Sequence, residues 1–257
     1  MQDSLELNGE NGRENNRARV PDGTRVYAVG DIHGRRDLLD LLLADISADF
    51  RADPTARGVI VFLGDYVDRG PDVRGVLERL MAGPPAGMEA VCLKGNHEDF
   101  MMRFLDEKGF GEGWLMNGGG ATLASYGATE SDDMFDALWH LEDTRRKFAD
   151  SLPAEHRTFL EGLQLRHREG DYIFVHAGLR PGVPLDAQSA DDMMWIRDDF
   201  LYSEADFGAI VVHGHTPRPE PVFRENRIGI DTMAYRSGRL TCLVLEGDRR
   251  RLIDTGP

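Results

Sequence analysis

The chain predicts an α/β fold on three observations. Apolar strand-like runs alternate with amphipathic helices, the first three runs each end in a glycine-containing polar motif, and the last strand-like runs follow one another with little helix between them. Residues 25–29 form the first run and empty into Gly30-Asp31-Ile32-His33-Gly34. From 36 to 50, Leu39, Leu42, Leu43, Ile46 and Phe50 recur at helical spacing and give one apolar stripe. Residues 58–63 are the next strand, ending in Gly64-Asp65-Tyr66-Val67-Asp68-Arg69-Gly70. Pro71 opens a helix carrying Val73, Val76, Leu77, Leu80 and Met81, which the Gly83-Pro84-Pro85 breaker stops. Residues 89–93 lead into Gly95-Asn96-His97-Glu98, where another helix begins. A repeated strand-motif-helix unit puts ligand-binding side chains at the carboxyl ends of strands, where they converge on one crevice.

The second half changes character. Residues 172–175, 209–212, 228–230, 240–245 and 251–254 are strand-like, and a mixed or antiparallel second sheet is expected from them. Between the halves, 98–165 reads as mostly helical. Within it, 109–127 holds seven glycines (Gly109, Gly111, Gly113, Gly118, Gly119, Gly120, Gly127). A flexible connection between helices is expected there, the alternative being a loop at the cleft that sets substrate choice.

With 257 residues and 41% hydrophobic content, the chain suffices for one large domain over 21–257 with a substantial core. The formal charge of −15 argues against a nucleic-acid polymer as partner, because a polyanion needs a basic footprint. Cys92 and Cys242 lie inside apolar runs and read as small buried hydrophobes in a reducing compartment. The polar stretch at the start offers no apolar signal segment, and no run is long enough to span a membrane. A disordered leader over 1–20, a cytoplasmic location and no membrane partner are expected.

The chemistry sits in five motifs, the last two being His176-Ala177-Gly178 and Gly214-His215-Thr216. They supply three aspartates, an asparagine, four histidines and an arginine. Hydrolysis of a phosphate ester needs an anion neutralised, a water activated and a leaving oxygen protonated, and a pair of divalent ions meets the first two needs. Asp31, His33 and Asp65 can form one metal site, and Asp65, Asn96, His176 and His215 the other, with Asp65 bridging. Oxygen donors mixed with imidazoles and no thiolate suit Mn²⁺, Fe or Zn²⁺ in an open site. Arg69 and Arg197 can grip phosphate oxygens through the guanidinium fork. His97 can protonate the leaving oxygen, with Asp68 to orient it.

Taken singly, each assignment has a blander reading. An aspartate after a strand-ending glycine often makes only a turn, and Arg197 alone reads as a surface ion-pair partner. His140, His156 and His167 receive no role. Taken together, five independent coincidences would be needed.

These residues closely resemble the phosphoprotein phosphatase family, whose signature runs GDxHG, GDxVDRG and GNHE, followed by HAG and GHT histidines. The resemblance spans residues 25–247 and is greatest to the short bacterial serine/threonine protein phosphatases. It implies the metallophosphatase fold, two mixed β-sheets in a sandwich flanked by helices. It also implies a metal-dependent phosphomonoester hydrolase of serine/threonine or dual specificity, with manganese the expected metal, acting on a phosphoprotein or a phosphorylated small molecule by direct attack of a bridging hydroxide. The same resemblance carries over the ligands, the Asp68–His97 acid pair and the Arg69 and Arg197 clamps. His213 is left beside the site as a supporting candidate, since the family's ligand matches the histidine before Thr216.

Related classes are distinguished by single residues. Calcineurin-like phosphodiesterases generally end in GHxH, where this chain has Pro217. Symmetrical diadenosine tetraphosphate hydrolases usually have a small residue where this chain keeps Asp68. A dinucleoside polyphosphate hydrolase of that kind is the alternative enzyme, and a silent metal-holding protein is disfavoured because every ligand is present. Met233 stands where short bacterial relatives commonly have glycine.

Overall fold

The structure is a computed structural model that describes residues 18–55, 57–129, 138 and 140–256. Ten strands are described: β1 (Thr24–Val29), β2 (Arg57–Phe62), β3 (Met88–Cys92), β4 (Arg166–Glu169), β5 (Tyr172–Val175), β6 (Ile210–His213), β7 (Val222–Phe223), β8 (Arg227–Gly229), β9 (Thr241–Glu246) and β10 (Arg249–Asp254). They form two mixed five-stranded sheets, ordered β10-β9-β1-β2-β3 and β4-β5-β6-β8-β7. Strands β1, β2 and β3 are parallel neighbours, so their carboxyl ends lie along one edge of the first sheet.

Every residue of β1 is buried, as a strand covered on both faces requires. Its side chains alternate between two cores. Val26 and Ala28 join Val59, Val61, Phe174, Val212, Ile228, Leu243 and Leu245 in the layer between the sheets. Tyr27 and Val29 point the other way, into the core beneath α1 (Arg36–Ala52) and α2 (Val73–Met81). The outer face of the second sheet is covered in turn, with Ile173, Val175 and Val211 packing on Met193, Ile196 and Phe200. Helix, sheet, sheet and helix therefore stack as layers, the sandwich that the resemblance implied.

One expectation is corrected. Strands β9 and β10 return to the first sheet, where β9 pairs antiparallel with β1 (Ala28 opposite Leu243) and β10 forms the edge. Hydrophobic periodicity marks a strand but not its partner. The second sheet is completed instead by β4, whose Arg-His-Arg-Glu sequence carries no strand pattern, and by the two-residue β7.

Residues 1–17 of the expected leader lie outside the described residues. Residues 18–20 belong to the fold, since Val20 is buried between the sheets and its amide donates to the Gly247 carbonyl at 3.1 Å. Burying that apolar side chain outweighs the polarity of its neighbours. Cys92 and Cys242 are free thiols in or beside apolar core. Among the described residues no helix is long and apolar enough to cross a membrane.

Candidate active site

The motifs interlock through their backbones before any side chain is considered. The amides of Ile32 and His33 donate to the Asp65 carbonyl at 3.1 and 2.8 Å, and Gly214 donates to the His176 carbonyl at 2.8 Å. The amide of His97, at the start of α3 (Asn96–Asp106), donates to Asp65 Oδ1 at 3.1 Å. The His215 amide donates to Asp31 Oδ2 at 3.0 Å. Two glycines are fixed by these approaches: a Cβ at Gly95 would lie 2.1 Å from Asp65 Oδ1, and one at Gly214 would lie 2.0 Å from Asp31 Oδ1.

Glu98 holds the whole junction. Its Oε2 accepts from the amides of Asp65 and Gly95, both at 2.9 Å, and its Oε1 from Tyr66 at 2.7 Å and Val67 at 3.2 Å. Burial and the Asp65 charge push its carboxyl up, to about 7, while the bonds from Val67 and Gly95 pull the other way. Sequence reading gave this residue no task. The signal was an acid in the first turn of a helix, the position from which a carboxylate reaches back to backbone amides. Glu98→Gln turns one acceptor into a donor facing amide donors. It is expected to cost about 1–3 kcal/mol, measured by denaturant unfolding of the metal-free chain.

Asp65 is the point where two groups of potential ligands meet. Its Oδ2 lies 3.5 Å from His33 Nε2 and 3.9 Å from His97 Nε2, while its Oδ1 lies 3.3 Å from His176 Nε2. Ligand atoms of His33, Asp65 and His97 lie within 4.8 Å of one another, as do those of Asp65, His176 and His215. Asn96 Oδ1 adds to the second group, 2.9 Å from His176 Nε2 and 2.8 Å from His215 Nδ1. Asp31 falls in neither triad; it lies against the His215 amide. The structure thus brings together Asp31, His33, Asp65, Asp68, Arg69, Asn96, His97, His176 and His215.

The donor set fits divalent cations. His33 commits Nδ1 to the Val67 carbonyl at 2.8 Å, and His176 commits Nδ1 to Leu63 at 2.8 Å. A backbone carbonyl can only accept, so each Nδ1 carries the proton and each neutral ring turns its Nε2 lone pair inward. Burial lowers the pKa of His33, His176 and His215, the last to about 2, which keeps those lone pairs free. Burial would raise Asp65, but its interactions with the surrounding His176, His97, His33 and His215 hold it below its ordinary value. Asp31 is raised well above its ordinary range by burial and by the charges of Asp231 and Asp65. Buried lone pairs and crowded carboxylates facing one pocket are what a cation relieves. In the structure the Arg69 guanidinium serves those lone pairs, donating to His33 Nε2 at 2.8 Å and His97 Nε2 at 2.9 Å.

The lowered imidazoles give a pH prediction for the metal-free chain. A base whose folded pKa is depressed binds fewer protons folded than unfolded, so stability falls as pH drops below the unfolded value. Acidification from pH 7 to 5 is expected to destabilise through all three histidines, with about 2 kcal/mol from His215, whose folded value lies far below that range. Denaturant midpoints across that range check it.

His97 behaves differently. Burial lowers its pKa, but the charge of Asp65 and a 2.6 Å bond from Nδ1 to Asp68 Oδ2 outweigh that and raise it. Arg197 is exposed, and its charge is among the causes that lower both His176 and His215. His213 does not support the site. Its ring packs on Phe200 at 5.1 Å and its Nδ1 meets the Gly214 carbonyl at 3.0 Å. The left-handed backbone of His215 (φ 62°) breaks the strand alternation that would have put both rings on one face.

Asp231 was missed. It follows the strand β8 as Asp31 and Asp65 follow theirs, is 6% exposed, and is pushed up to about 6 by burial and then by Asp65. Its Oδ1 accepts the amide of Met233, which takes the left-handed backbone (φ 58°) that a glycine would otherwise supply. That turn starts the helix Ala234–Ser237, whose Tyr235 ring lies 4.9 Å from the Arg69 guanidinium.

The sequence profile of the calcineurin-like phosphoesterases matches residues 24–237. The chain belongs to that family. Its calcineurin-like fold is also that of solved structures. A chain provisionally named a diadenosine tetraphosphatase aligns at a TM-score of 0.59 with 23% identity, over 94% of this chain and 99% of that one. The cold-active protein-tyrosine phosphatase of a psychrophilic Shewanella aligns at 0.51 with 19% identity, over 92% and 80%. Among curated relatives, serine/threonine-protein phosphatase 1 of Salmonella typhimurium is 28% identical over 84% of this chain and 89% of its own. The asymmetrical bis(5'-nucleosyl)-tetraphosphatase PrpE of Bacillus thuringiensis is 27% identical over 84% and 88%. This metallophosphoesterase is therefore a hydrolase of phosphoesters whose relatives divide between two substrate classes.

Proposed function

We propose that the protein is a dinuclear-metal phosphomonoesterase acting on phosphoserine, phosphothreonine or phosphotyrosine in proteins. Asp31, His33 and Asp65 would hold one ion, and Asp65, Asn96, His176 and His215 the other, with Mn²⁺ preferred over Fe or Zn²⁺. Such a pair supplies charge neutralisation for the phosphate and a water of lowered pKa. Arg69 and Arg197 grip the remaining phosphate oxygens; once phosphate draws Arg69 away from His97 Nε2, His97, aligned by Asp68, carries a proton there for the departing oxygen. Neither cysteine lies in the motif loops, and no serine occurs in them, so water is the nucleophile and no phospho-enzyme forms.

The observation that carries this reading is the 2.6 Å bond between Nδ1 of the buried His97 and Oδ2 of the buried Asp68. A serine or threonine alkoxide is a poor leaving group and needs an acid. A nucleoside phosphate leaves from an anhydride with little help, so an aligned acid matters less there. The net charge of −15 also disfavours a substrate with several phosphates. The second reading, hydrolysis of dinucleoside polyphosphates, is favoured by the extent of the PrpE likeness.

Turnover of phosphoserine, phosphothreonine and phosphotyrosine peptides should be compared with that of diadenosine tetraphosphate on manganese-loaded protein. A kcat/KM higher for peptides is expected; a strong preference for the nucleotide would replace the first reading with the second. Arg197→Ala is expected to raise KM for a chromogenic phosphate about tenfold, with a smaller change in kcat. Unaltered saturation would make the arginine a bystander.

A further inference from the structure

We propose that Trp114 and Thr122, from the glycine-rich segment between the helices, form a brace that positions Asp68 and through it the proton donor His97. The inference rests on the reading of His97 as the acid for the leaving oxygen.

The expected flexible connection is not what this segment forms. A short helix (Glu112–Trp114) continues through 115–117, kinks at Gly118 (φ 105°, ψ 11°), and resumes as a second helix (Gly120–Ser125). The kink at Gly118 lets two residues eight apart reach one carboxylate. Trp114 Nε1 donates to Asp68 Oδ2 at 2.9 Å, with Oδ1 at 3.1 Å. Thr122 Oγ1 donates to Asp68 Oδ1 at 2.5 Å and accepts from the Asp68 amide at 3.0 Å. Trp114, Thr122 and Asp68 are wholly buried. His97 Nδ1 is the third side-chain donor to the carboxylate, so its oxygens are satisfied and cannot swing.

The brace also holds the backbone. Asp68 and Arg69 are consecutive left-handed residues, φ 70° and 67°, a conformation that L-residues rarely adopt. The Arg69 amide is tied to the Gly118 carbonyl at 3.1 Å. A Cβ on Gly118 would lie 2.7 Å from Arg69 Cγ, and one on Gly119 2.6 Å from the indole of Trp114. The glycines are thus where the segment closes against the catalytic turn. Trp114 has packing duties too, with Phe104 and Phe148 rings at 4.7 and 5.8 Å, so its loss alone would not separate support from catalysis.

The variants Trp114→Phe, which keeps the ring and loses the N–H, and Thr122→Val, which keeps the shape and loses the hydroxyl, separate them. Manganese-loaded protein is assayed with aryl phosphates from 2,4-dinitrophenyl to phenyl and with an alkyl phosphate, alongside His97→Asn. Manganese per chain and unfolding midpoint are recorded as controls. Each brace variant is expected to lose kcat progressively as the leaving group becomes more basic, by about tenfold at the alkyl end, with KM nearly constant. Thr122→Ser, which retains the hydroxyl, is expected to restore the wild-type dependence. A uniform loss across the series, or none, in both brace variants while His97→Asn responds steeply overturns the brace alone. A flat response in His97→Asn overturns the acid assignment and the brace with it.

Discussion

Asp65→Asn is expected to release metal and activity together, with turnover reduced by about 10³-fold or more and fewer than two ions retained per chain. The reason is the geometry of one side chain. Its two oxygens face different imidazoles, Oδ2 toward His33 and Oδ1 toward His176, and it belongs to both ligand groups. An amide keeps one oxygen but loses the charge that two cations would share. The same change removes the anion that lies among His33, His97, His176 and His215. Metal analysis after gel filtration, with chelated and manganese-reconstituted wild type as references, decides the matter. Two ions tightly held by the variant would show that the carboxylate does not bridge.

The second large effect is expected at His97. Replacing it with alanine should lower kcat by about 10²–10³-fold on an alkyl phosphate while leaving both ions in place. Its Nδ1 is engaged by Asp68, and its Nε2 reaches Arg69 and faces Asp65 Oδ2 at 3.9 Å, so the ring does not share the Asn96 contacts, and in the proposed reading it borders the phosphate. A dinitrophenyl ester, whose oxygen needs no proton to depart, should lose far less. An unchanged rate with the alkyl ester would take His97 out of the reaction. The two variants are complementary, since one fails at cation binding and the other afterwards.

Much of this arrangement was readable from the chain because strand, motif and helix are local patterns. The residues after β1, β2 and β3 had to converge once those strands were parallel neighbours, and they do. Partnership between distant segments was less legible. Strand β9 reads the same whichever sheet receives it, and β4 is too polar to read at all. The glycines of 109–127 lower helix propensity, so a coil was expected. The helical turns there are held by Asp68 and Arg69, whose contacts lie 46 and 54 residues away from the carboxylate. Asp231 obeyed the same rule as Asp31 and was passed over because no motif surrounds it. Glu98 was visible as a letter of the signature, but its four amide partners exist only after folding.

Six non-glycine residues among those described have positive φ: His33, Asp65, Asp68, Arg69, His215 and Met233. Five of them are candidate catalytic or ligand residues, and each such backbone costs about 1–3 kcal/mol. The sandwich therefore carries a standing load concentrated at its working edge. Laboratory selection for heat resistance alone should drift toward glycine or asparagine at these positions, yielding hardier chains that hydrolyse nothing.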